Sequence, residues 1–236
     1  MTSRRHITGF AKVALYGRIA LHVAGHYLLR PRLFGYNPLR YLRFLCRALR
    51  LLLIFRHNKA MFCNGRSKLH LYLPAYPSPA FFRSIETKLL RRPPGPVTVV
   101  YSMTRACTYH CPHCYQRRDG GHDLEEGLLI DTALRVRDAG VTLFDVEGGE
   151  PLLRFPRLLR LAKALGEGVE CWVNTTGAGL EPGMLRELRL AGVYGLMVSI
   201  HAPDATEHDA FTGVEGSFAT ALEVCRQARA DRKSVV

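Results

Sequence analysis

The stretch "VTVVYSMTRACTYHCPHCY", residues 97–115, joins a β-branched apolar run to three closely spaced cysteines. The run from Val97 to Met103 predicts a buried strand, and Cys107, Cys111 and Cys114 come shortly after it. Three thiols are one fewer than a closed four-cysteine zinc site takes and one more than a redox pair uses. The number of cysteines alone therefore does not decide the chemistry of this loop, and the residues downstream bear on it.

Downstream of this stretch, strand-like and helix-like runs alternate. The strand-like runs lie at 141–149, 169–177 and 194–202, and the helix-like runs lie at 124–140, 157–168, 183–192 and 217–229. With the first run they make four strands and four helices, which predicts an α/β fold with a parallel sheet and right-handed crossovers. In such sheets, ligands bind at the carboxyl ends of the strands.

Polar or glycine-rich residues stand at the end of each predicted strand. The cysteines follow the first strand, and the next three strands end in Gly148–Glu150, Asn174–Gly177 and Ser199–His201. Because the carboxyl ends of parallel strands meet at one edge of the sheet, we expect these residues to form a single site.

The three cysteines allow more than one metal chemistry. A cluster of four irons takes one ligand per iron, so three thiolates leave one iron open to a substrate or cofactor. Alternatively, His110 or His113 completes a tetrahedral zinc set with the thiolates, although zinc usually takes its ligands as two separated pairs. Cys111 and Cys114 also have the spacing of a redox dithiol. On the cysteines alone, these alternatives stay open.

The spacing Cys107-x3-Cys111-x2-Cys114, followed by "GGEP" at residues 148–151, resembles the radical S-adenosylmethionine (radical SAM) superfamily. The resemblance covers about Val97–Arg229. It implies that the three cysteines hold a [4Fe-4S] cluster whose open iron chelates the methionine part of S-adenosylmethionine (SAM). An electron from a reducing donor then cleaves the sulfonium, and the 5′-deoxyadenosyl radical abstracts a hydrogen atom from a substrate that the resemblance does not name.

The resemblance also assigns a cofactor-binding role to the second strand end. Gly148 and Gly149 lack a Cβ, so the backbone there can approach the ligand closely. Glu150 is expected to place a carboxylate near the cationic amine of the methionine part.

Three further cofactor contacts follow from the resemblance. His113 has the position beside the adenine, and Asn174 and Ser199 are expected to contact the ribose or the methionine. The alternative role for Asn174 and Ser199 is to cap their strands. His201 is either a proton donor or acceptor on the substrate side or a hydrogen-bonded strand-end residue.

The resembling fold has six βα units in a partial (β/α) barrel similar to a TIM barrel, and about four are present here. We therefore expect a C-terminally truncated core at 97–230. Residues 231–236, "DRKSVV", resemble a translated adapter sequence and are expected to be a non-native tail.

The N-terminal part of the chain differs from this core in charge. Residues 1–85 hold 15 Lys or Arg and no acidic residue, whereas residues 86–236 hold 18 basic and 20 acidic residues. We expect a basic, amphipathic helical segment at 1–60. At 61–96 we expect a hairpin at Asn64-Gly65, a short helix and a Pro-rich linker.

The run "RYLRFLCRALRLLLIF" at 40–55 indicates what the basic segment binds. Arg40, Arg43, Arg47 and Arg50 form one helical stripe, and apolar side chains fill the rest. This pattern is typical of a helix lying on an anionic membrane surface. It also fits a helix packed on its own domain or docking a peptide substrate. Nucleic acid is disfavoured, because the aromatic residues do not interleave with the arginines.

The seven cysteines do not resemble a disulfide framework, since three are clustered and Cys46, Cys63, Cys171 and Cys225 are scattered. No signal peptide is evident, so we expect a cytoplasmic protein, peripheral at the membrane. The function is expected to be radical SAM catalysis. The alternative is a zinc- or cluster-stabilised binding module with a basic nucleic-acid-binding arm.

Overall fold

The computed structural model describes residues 5–91, 93–117, 121–230 and 234–235. The chain divides into two compact units. The N-terminal unit consists of Met1–Val97 and Gly140–Thr142, and the C-terminal unit of Thr98–Ala139 and Leu143–Val236.

The N-terminal unit combines helices with a small antiparallel sheet. Its elements are β1 (Arg5–Ile7), α1 (Gly9–Leu28), α2 (Pro38–Ile54), β2 (Ala60–Cys63), β3 (Arg66–Lys68) and α3 (Pro79–Ile85). The strands pair in the order β1-β2-β3. Asn64 and Gly65 join β2 to β3 with positive φ angles of 49° and 74°, which both residues tolerate in a two-residue hairpin turn. Asn37 caps α2 by accepting hydrogen bonds from the backbone N–H groups of its first turn.

The core of the N-terminal unit is built from one face of each long helix. The buried side chains recur every four residues on both helices, at Leu15, Ile19, Val23 and Tyr27 of α1 and at Phe44, Ala48 and Leu52 of α2. The rings of Tyr27 and Phe44 meet edge to face with centroids 4.7 Å apart. No described helix is long and apolar enough to cross a membrane.

The C-terminal unit is a parallel sheet with intervening helices, which confirms the predicted α/β class. Its elements are β4 (Thr98–Ser102), α4 (Glu126–Asp138), β5 (Leu143–Glu147), α5 (Phe155–Leu165), β6 (Glu170–Thr175), α6 (Met184–Leu190), β7 (Val193–Val198), α7 (Ala205–Thr212), α8 (Ser217–Ala230) and β8 (Ser234–Val235). The strand order is β4-β5-β6-β7-β8, all parallel. The central strands are buried along their length, as in a sheet covered on both faces.

Two features of this unit differ from the sequence analysis. Helix α7 was not predicted, although Asp204 caps it by accepting from Glu207 N (3.0 Å) and Gly213 ends it in the left-handed region. The short strand β8 lies within the expected tail at 231–236, and the rest of that tail lies outside the described residues.

Candidate functional site

A cavity of about 550 Å³ lies at the carboxyl ends of the parallel strands in the C-terminal unit. The cysteine loop and the ends of β5, β6 and β7 all contribute to its lining. The predicted site residues that line it are Cys107, Cys111, His113, Cys114, Gly148, Gly149, Asn174 and Ser199. Of the predicted set, Glu150 alone is not among the lining residues.

The three cysteines of this loop all line the cavity. Cys107 is exposed, and Cys111 and Cys114 are half-buried. Among the described residues, no three His, Cys, Asp or Glu side chains converge closely enough to hold a single metal ion. A four-iron cluster takes each thiolate on a separate iron, so its ligands need not meet at one point.

Two backbone hydrogen bonds fix the start and the middle of this loop. Glu150 N donates to Ala106 O (2.6 Å), one residue before Cys107. His110 N donates to Thr212 O (2.8 Å), at the end of α7. The backbone around the first cysteine is therefore held from both sides.

The two glycines at the end of β5 are required by this arrangement. Gly149 N donates to Thr104 O (2.7 Å), so the strand end runs directly against the segment before Cys107. A Cβ on Gly148 would lie 2.3 Å from Thr104 O, and one on Gly149 would lie 2.2 Å from Ala106 O. In the structure, the backbone of residues 104–106 lies against Gly148 and Gly149. That a ligand also approaches these glycines stays a prediction.

Asp123 braces the same segment and was missed by the sequence analysis. Its carboxylate accepts from the Thr104 hydroxyl (2.7 Å) and from Arg105 N (2.7 Å). Burial acts to raise the pKa of Asp123, but these two hydrogen bonds and the charge of Arg157 outweigh it and lower the pKa below its ordinary value. No sequence pattern marks Asp123, because its partners lie 18 and 19 residues away.

Glu150 is fully buried and joins the ends of β5 and β6. Its oxygens accept from the hydroxyl of Thr175 (2.7 Å), from Leu152 N (3.0 Å), and from the N–H (2.7 Å) and hydroxyl (2.6 Å) of Thr176. Burial raises the pKa of Glu150, although these four bonds favour the charged form. Its expected role as an amine acceptor stays a prediction, and in this structure its oxygens are occupied within the chain.

Glu147 supplies the carboxylate that lines the cavity. It accepts hydrogen bonds from the Tyr115 hydroxyl and from Asn174 Nδ2 (3.2 Å). The other amide atom, Asn174 Oδ1, is buried and has no hydrogen-bond partner within the described part of the chain. An unsatisfied buried acceptor at a cavity wall is an unusual feature, because such atoms are almost always hydrogen-bonded.

His113 lies in a group of rings beside the cavity. Its ring centroid is 5.0 Å from that of His201 and 5.0 Å from that of Phe211. The backbone N of His201, three residues after the end of β7, donates to Nδ1 of His208 (3.1 Å), and this bond does not involve the imidazole of His201. Partial desolvation, then the nearby His113 and His208, lower the pKa of His201 and favour its neutral form.

Comparison with known families identifies this arrangement. The family model for the radical SAM superfamily matches residues 101–235, more than half of the chain. The chain belongs to the radical SAM superfamily. Members of this superfamily typically use a [4Fe-4S] cluster and SAM.

The curated relatives of this radical SAM chain include two heme synthases. The AdoMet-dependent heme synthase of Nitratidesulfovibrio vulgaris is 31% identical over 126 residues, which cover 51% of this chain and 34% of the relative. That of Methanosarcina barkeri is 33% identical over 142 residues, covering 57% and 40%. The radical SAM chain therefore spans well under half the length of these relatives.

Solved structures show the same fold. SuiB of Streptococcus suis bound to S-adenosylmethionine matches with a TM-score of 0.50 at 15% identity, covering 59% of this chain and 32% of SuiB. SuiB bound to its precursor peptide SuiA matches with a TM-score of 0.51 at 14% identity, covering 84% and 37%. At these identities the likeness to this radical SAM chain concerns the fold alone.

The residues at the cavity fit the cofactors typical of radical SAM enzymes. The donor set is three thiols on one loop, which suits an iron–sulfur cluster with one open iron. The unsatisfied Asn174 Oδ1 suits the ammonium or hydroxyl donors of SAM, and the Glu147 carboxylate lies on the same wall.

Proposed function

We propose that this radical SAM enzyme holds a [4Fe-4S] cluster on Cys107, Cys111 and Cys114 and uses it to cleave SAM. The observation that carries the proposal is that the three thiols open onto the cavity that Asn174 and Glu147 line. When bound, the cluster supplies the electron that cleaves the SAM sulfonium and starts radical chemistry. Membership of the radical SAM superfamily favours this proposal over the alternative of a non-enzymatic binding module.

The chain's own residues bind and orient SAM in this proposal. Asn174 Oδ1 accepts from a donor of the methionine or ribose part, because it is a buried acceptor at the cavity that lacks a partner within the described residues, as is Gln116 Oε1. Glu147 presents its charge to the methionine ammonium from the cavity wall, a role that the sequence analysis gave to Glu150. Glu150 contributes by holding the Thr175 and Thr176 end of β6 against the end of β5.

The remaining predicted residues complete the cofactor site. His113 stacks beside the adenine, supported by the adjacent rings of His201 and Phe211. Gly148 and the Ser199 side chain border the same cavity and leave room for the ligand.

Two substrate classes are candidates. The first is a membrane-borne substrate, because the basic N-terminal unit favours peripheral attachment to an anionic membrane surface. A peptide substrate is the second candidate, because SuiB, a structural neighbour over 84% of this chain, is seen with a precursor peptide. The heme synthase relatives do not settle the choice, since this chain matches only 34% and 40% of their lengths.

The test is anaerobic reconstitution with iron and sulfide, followed by dithionite and SAM. We expect about four irons per chain and formation of 5′-deoxyadenosine. Cys111→Ala should abolish 5′-deoxyadenosine formation, while Cys46→Ala, an exposed cysteine of the N-terminal unit, should leave it unchanged. Stoichiometric zinc with no SAM cleavage would overturn the proposal, as would equal activity of the two variants.

A further inference from the structure

The face of α2 that the sequence analysis offered to a membrane is partly used inside the N-terminal unit. Phe44, Ala48 and Leu52 are buried in the core, with exposed fractions of 3%, 7% and 9%. A membrane therefore cannot contact these residues unless the unit unfolds. Any surface that α2 offers to a partner must consist of its other residues.

A second apolar row remains exposed on α2, and we call it the leucine ridge. Its members recur at alternating spacings of three and four residues, at Leu39, Leu42, Cys46, Leu49 and Leu53. The four leucines are between 48% and 63% exposed. A contiguous apolar ridge of this length marks a contact surface rather than scattered surface residues.

Beside the ridge runs the arginine row, Arg40, Arg43, Arg47 and Arg50, all exposed. Within the part of the chain that the structure describes, none of the four has an ion-pair partner. The first acidic residue of the sequence, Glu86, is 3.4 Å from Arg30 and also within hydrogen-bond distance of the Tyr27 hydroxyl. The counter-charge for the row must therefore come from outside this unit.

The two rows share the solvent side of one helix. At 100° per residue, the ridge and the row are centred about 100° apart. The row is centred about 120° from the buried face, and the ridge about 140° from it. A flat partner that lies along α2 would contact both rows at once. It must offer an apolar layer and a layer of negative charge in parallel.

We propose that the leucine ridge and the arginine row of α2 form an anionic-lipid-binding surface that lies in the plane of a bilayer. The leucines enter the boundary of the acyl chains, and the long arginine side chains extend to the lipid phosphates. The absence of a spanning helix among the described residues is compatible with a helix that lies on the surface. This inference deepens the membrane part of the proposed function and does not depend on the cluster.

Other partners match the two rows less well. Nucleic acid would satisfy the arginines but leave the leucine ridge in water. A second copy of α2, packed face to face, would bring two unpaired arginine rows together, which like-charge repulsion opposes. An anionic lipid surface provides both layers.

The first experiment measures co-sedimentation of the full chain with vesicles of phosphatidylcholine, with and without phosphatidylglycerol. Arg43→Gln/Arg47→Gln/Arg50→Gln should weaken binding to the anionic vesicles about 100-fold at low salt. Leu42→Ser/Leu49→Ser/Leu53→Ser should weaken it about tenfold or more without changing the charge. The matched control, Arg186→Gln/Arg189→Gln/Leu190→Ser, changes exposed residues of α6 in the C-terminal unit and should bind like the unchanged chain.

A second experiment reports insertion directly, even if the triple variants fold poorly. The sequence has one tryptophan, and Trp172 is only 2% exposed, so Leu49→Trp adds a distinct exposed fluorophore. Its emission should shift to the blue on anionic vesicles and be quenched by brominated lipid, whereas Leu190→Trp should show neither change.

Three outcomes would overturn the inference. One is unchanged vesicle binding by both triple variants, and another is salt-sensitive binding to duplex DNA with no binding to vesicles. The third is a dimer that the leucine variant converts to a monomer in light scattering, again without vesicle binding. Formation of 5′-deoxyadenosine in solution is scored separately, so failure of the membrane inference and failure of the catalytic proposal are distinguishable.

Discussion

The two units of this chain treat charge in opposite ways. At the functional edge of the C-terminal unit, the carboxylates of Asp123 and Glu150 are held by hydroxyl and backbone donors of the same unit. In the N-terminal unit, four arginines stand in a row on α2 with no ion-pair partner among the described residues. The carboxylates in the first region are paired with donors of the same unit, whereas the arginines in the second need an anion from outside it.

This difference distinguishes residues that stabilise the fold from residues that contribute mainly to binding. A group that is satisfied inside the chain contributes to the free energy of unfolding, because its removal leaves buried donors unpaired. An unpaired surface charge contributes little to stability and acts mainly through binding. Matched substitutions in the two units should therefore have very different effects on stability.

The largest effect is expected at the β5 end. Gly149→Ala should destabilise the C-terminal unit by about 3 kcal/mol or more, because the new Cβ would meet backbone that cannot move without displacing Cys107. Urea unfolding followed by the fluorescence of Trp172, which lies in that unit, measures the change.

The matched control is Gly17→Ala in α1, where nothing lies within 4 Å of the new Cβ. It should stabilise the N-terminal unit by up to about 1 kcal/mol, measured by circular dichroism. Equal changes in stability for Gly149→Ala and Gly17→Ala would show that close packing at the β5 end does not limit the residue at position 149.

A smaller effect, with a defined pH dependence, is expected at Asp123. Its pKa is lowered in the folded state, so its contribution is present above the unfolded pKa near 4 and is lost as pH falls through the folded pKa. Asp123→Asn should destabilise by about 1–2 kcal/mol at pH 7, and the difference from the unchanged chain should shrink towards zero in acid. Urea midpoints between pH 7 and pH 3 measure this trend.

The control for Asp123 is Asp131→Asn, which removes an exposed i,i+4 pair with Arg135 (2.8 Å). We expect a change of about 0.5 kcal/mol or less. A loss at Asp123 that is no larger, or that stays constant with pH, would show that Asp123 does not brace the loop.

The smallest effect is expected in the arginine row. Arg47→Gln should change the stability of the chain by no more than about 0.5 kcal/mol, and in the stabilising direction at low salt, because it relieves repulsion within the row. Arg157→Gln in the C-terminal unit should cost more, because the Arg157 side chain is only 12% exposed and donates to Leu124 O (2.7 Å). Thermal unfolding of both variants in low and high salt measures the contrast. The reverse order of costs would mean that the row has a structural role.

The sequence predicted the α/β class because its signals are local. Strand-like and helix-like runs, glycine stops and the spacing of Cys107, Cys111 and Cys114 can each be recognised within short windows. The family assignment followed from the same motifs and is confirmed. Helix α7 was missed because it is short and only weakly amphipathic, although Asp204 and Gly213 mark its ends.

What the sequence could not predict depends on contacts between distant residues. The partners of Asp123 are set by how the loop folds back. Glu147 lines the cavity whereas Glu150 is fully buried, and the sequence alone does not distinguish them. On α2, every non-arginine position from 42 to 54 is apolar or a cysteine. Which of these positions become core is decided by packing in the folded unit, so the leucine ridge emerged only from the structure.

The two backbone bonds on either side of Cys107 have a consequence for cofactor loading. Glu150 N–Ala106 O and His110 N–Thr212 O join backbone atoms and use no thiol, so a cluster on the three cysteines would leave both bonds intact. We therefore expect the loop backbone to keep its conformation when a cluster binds, unlike a zinc finger, which folds only with its metal. In hydrogen–deuterium exchange, the amides of Glu150 and His110 should be protected in the apo-protein as they are in the loaded one.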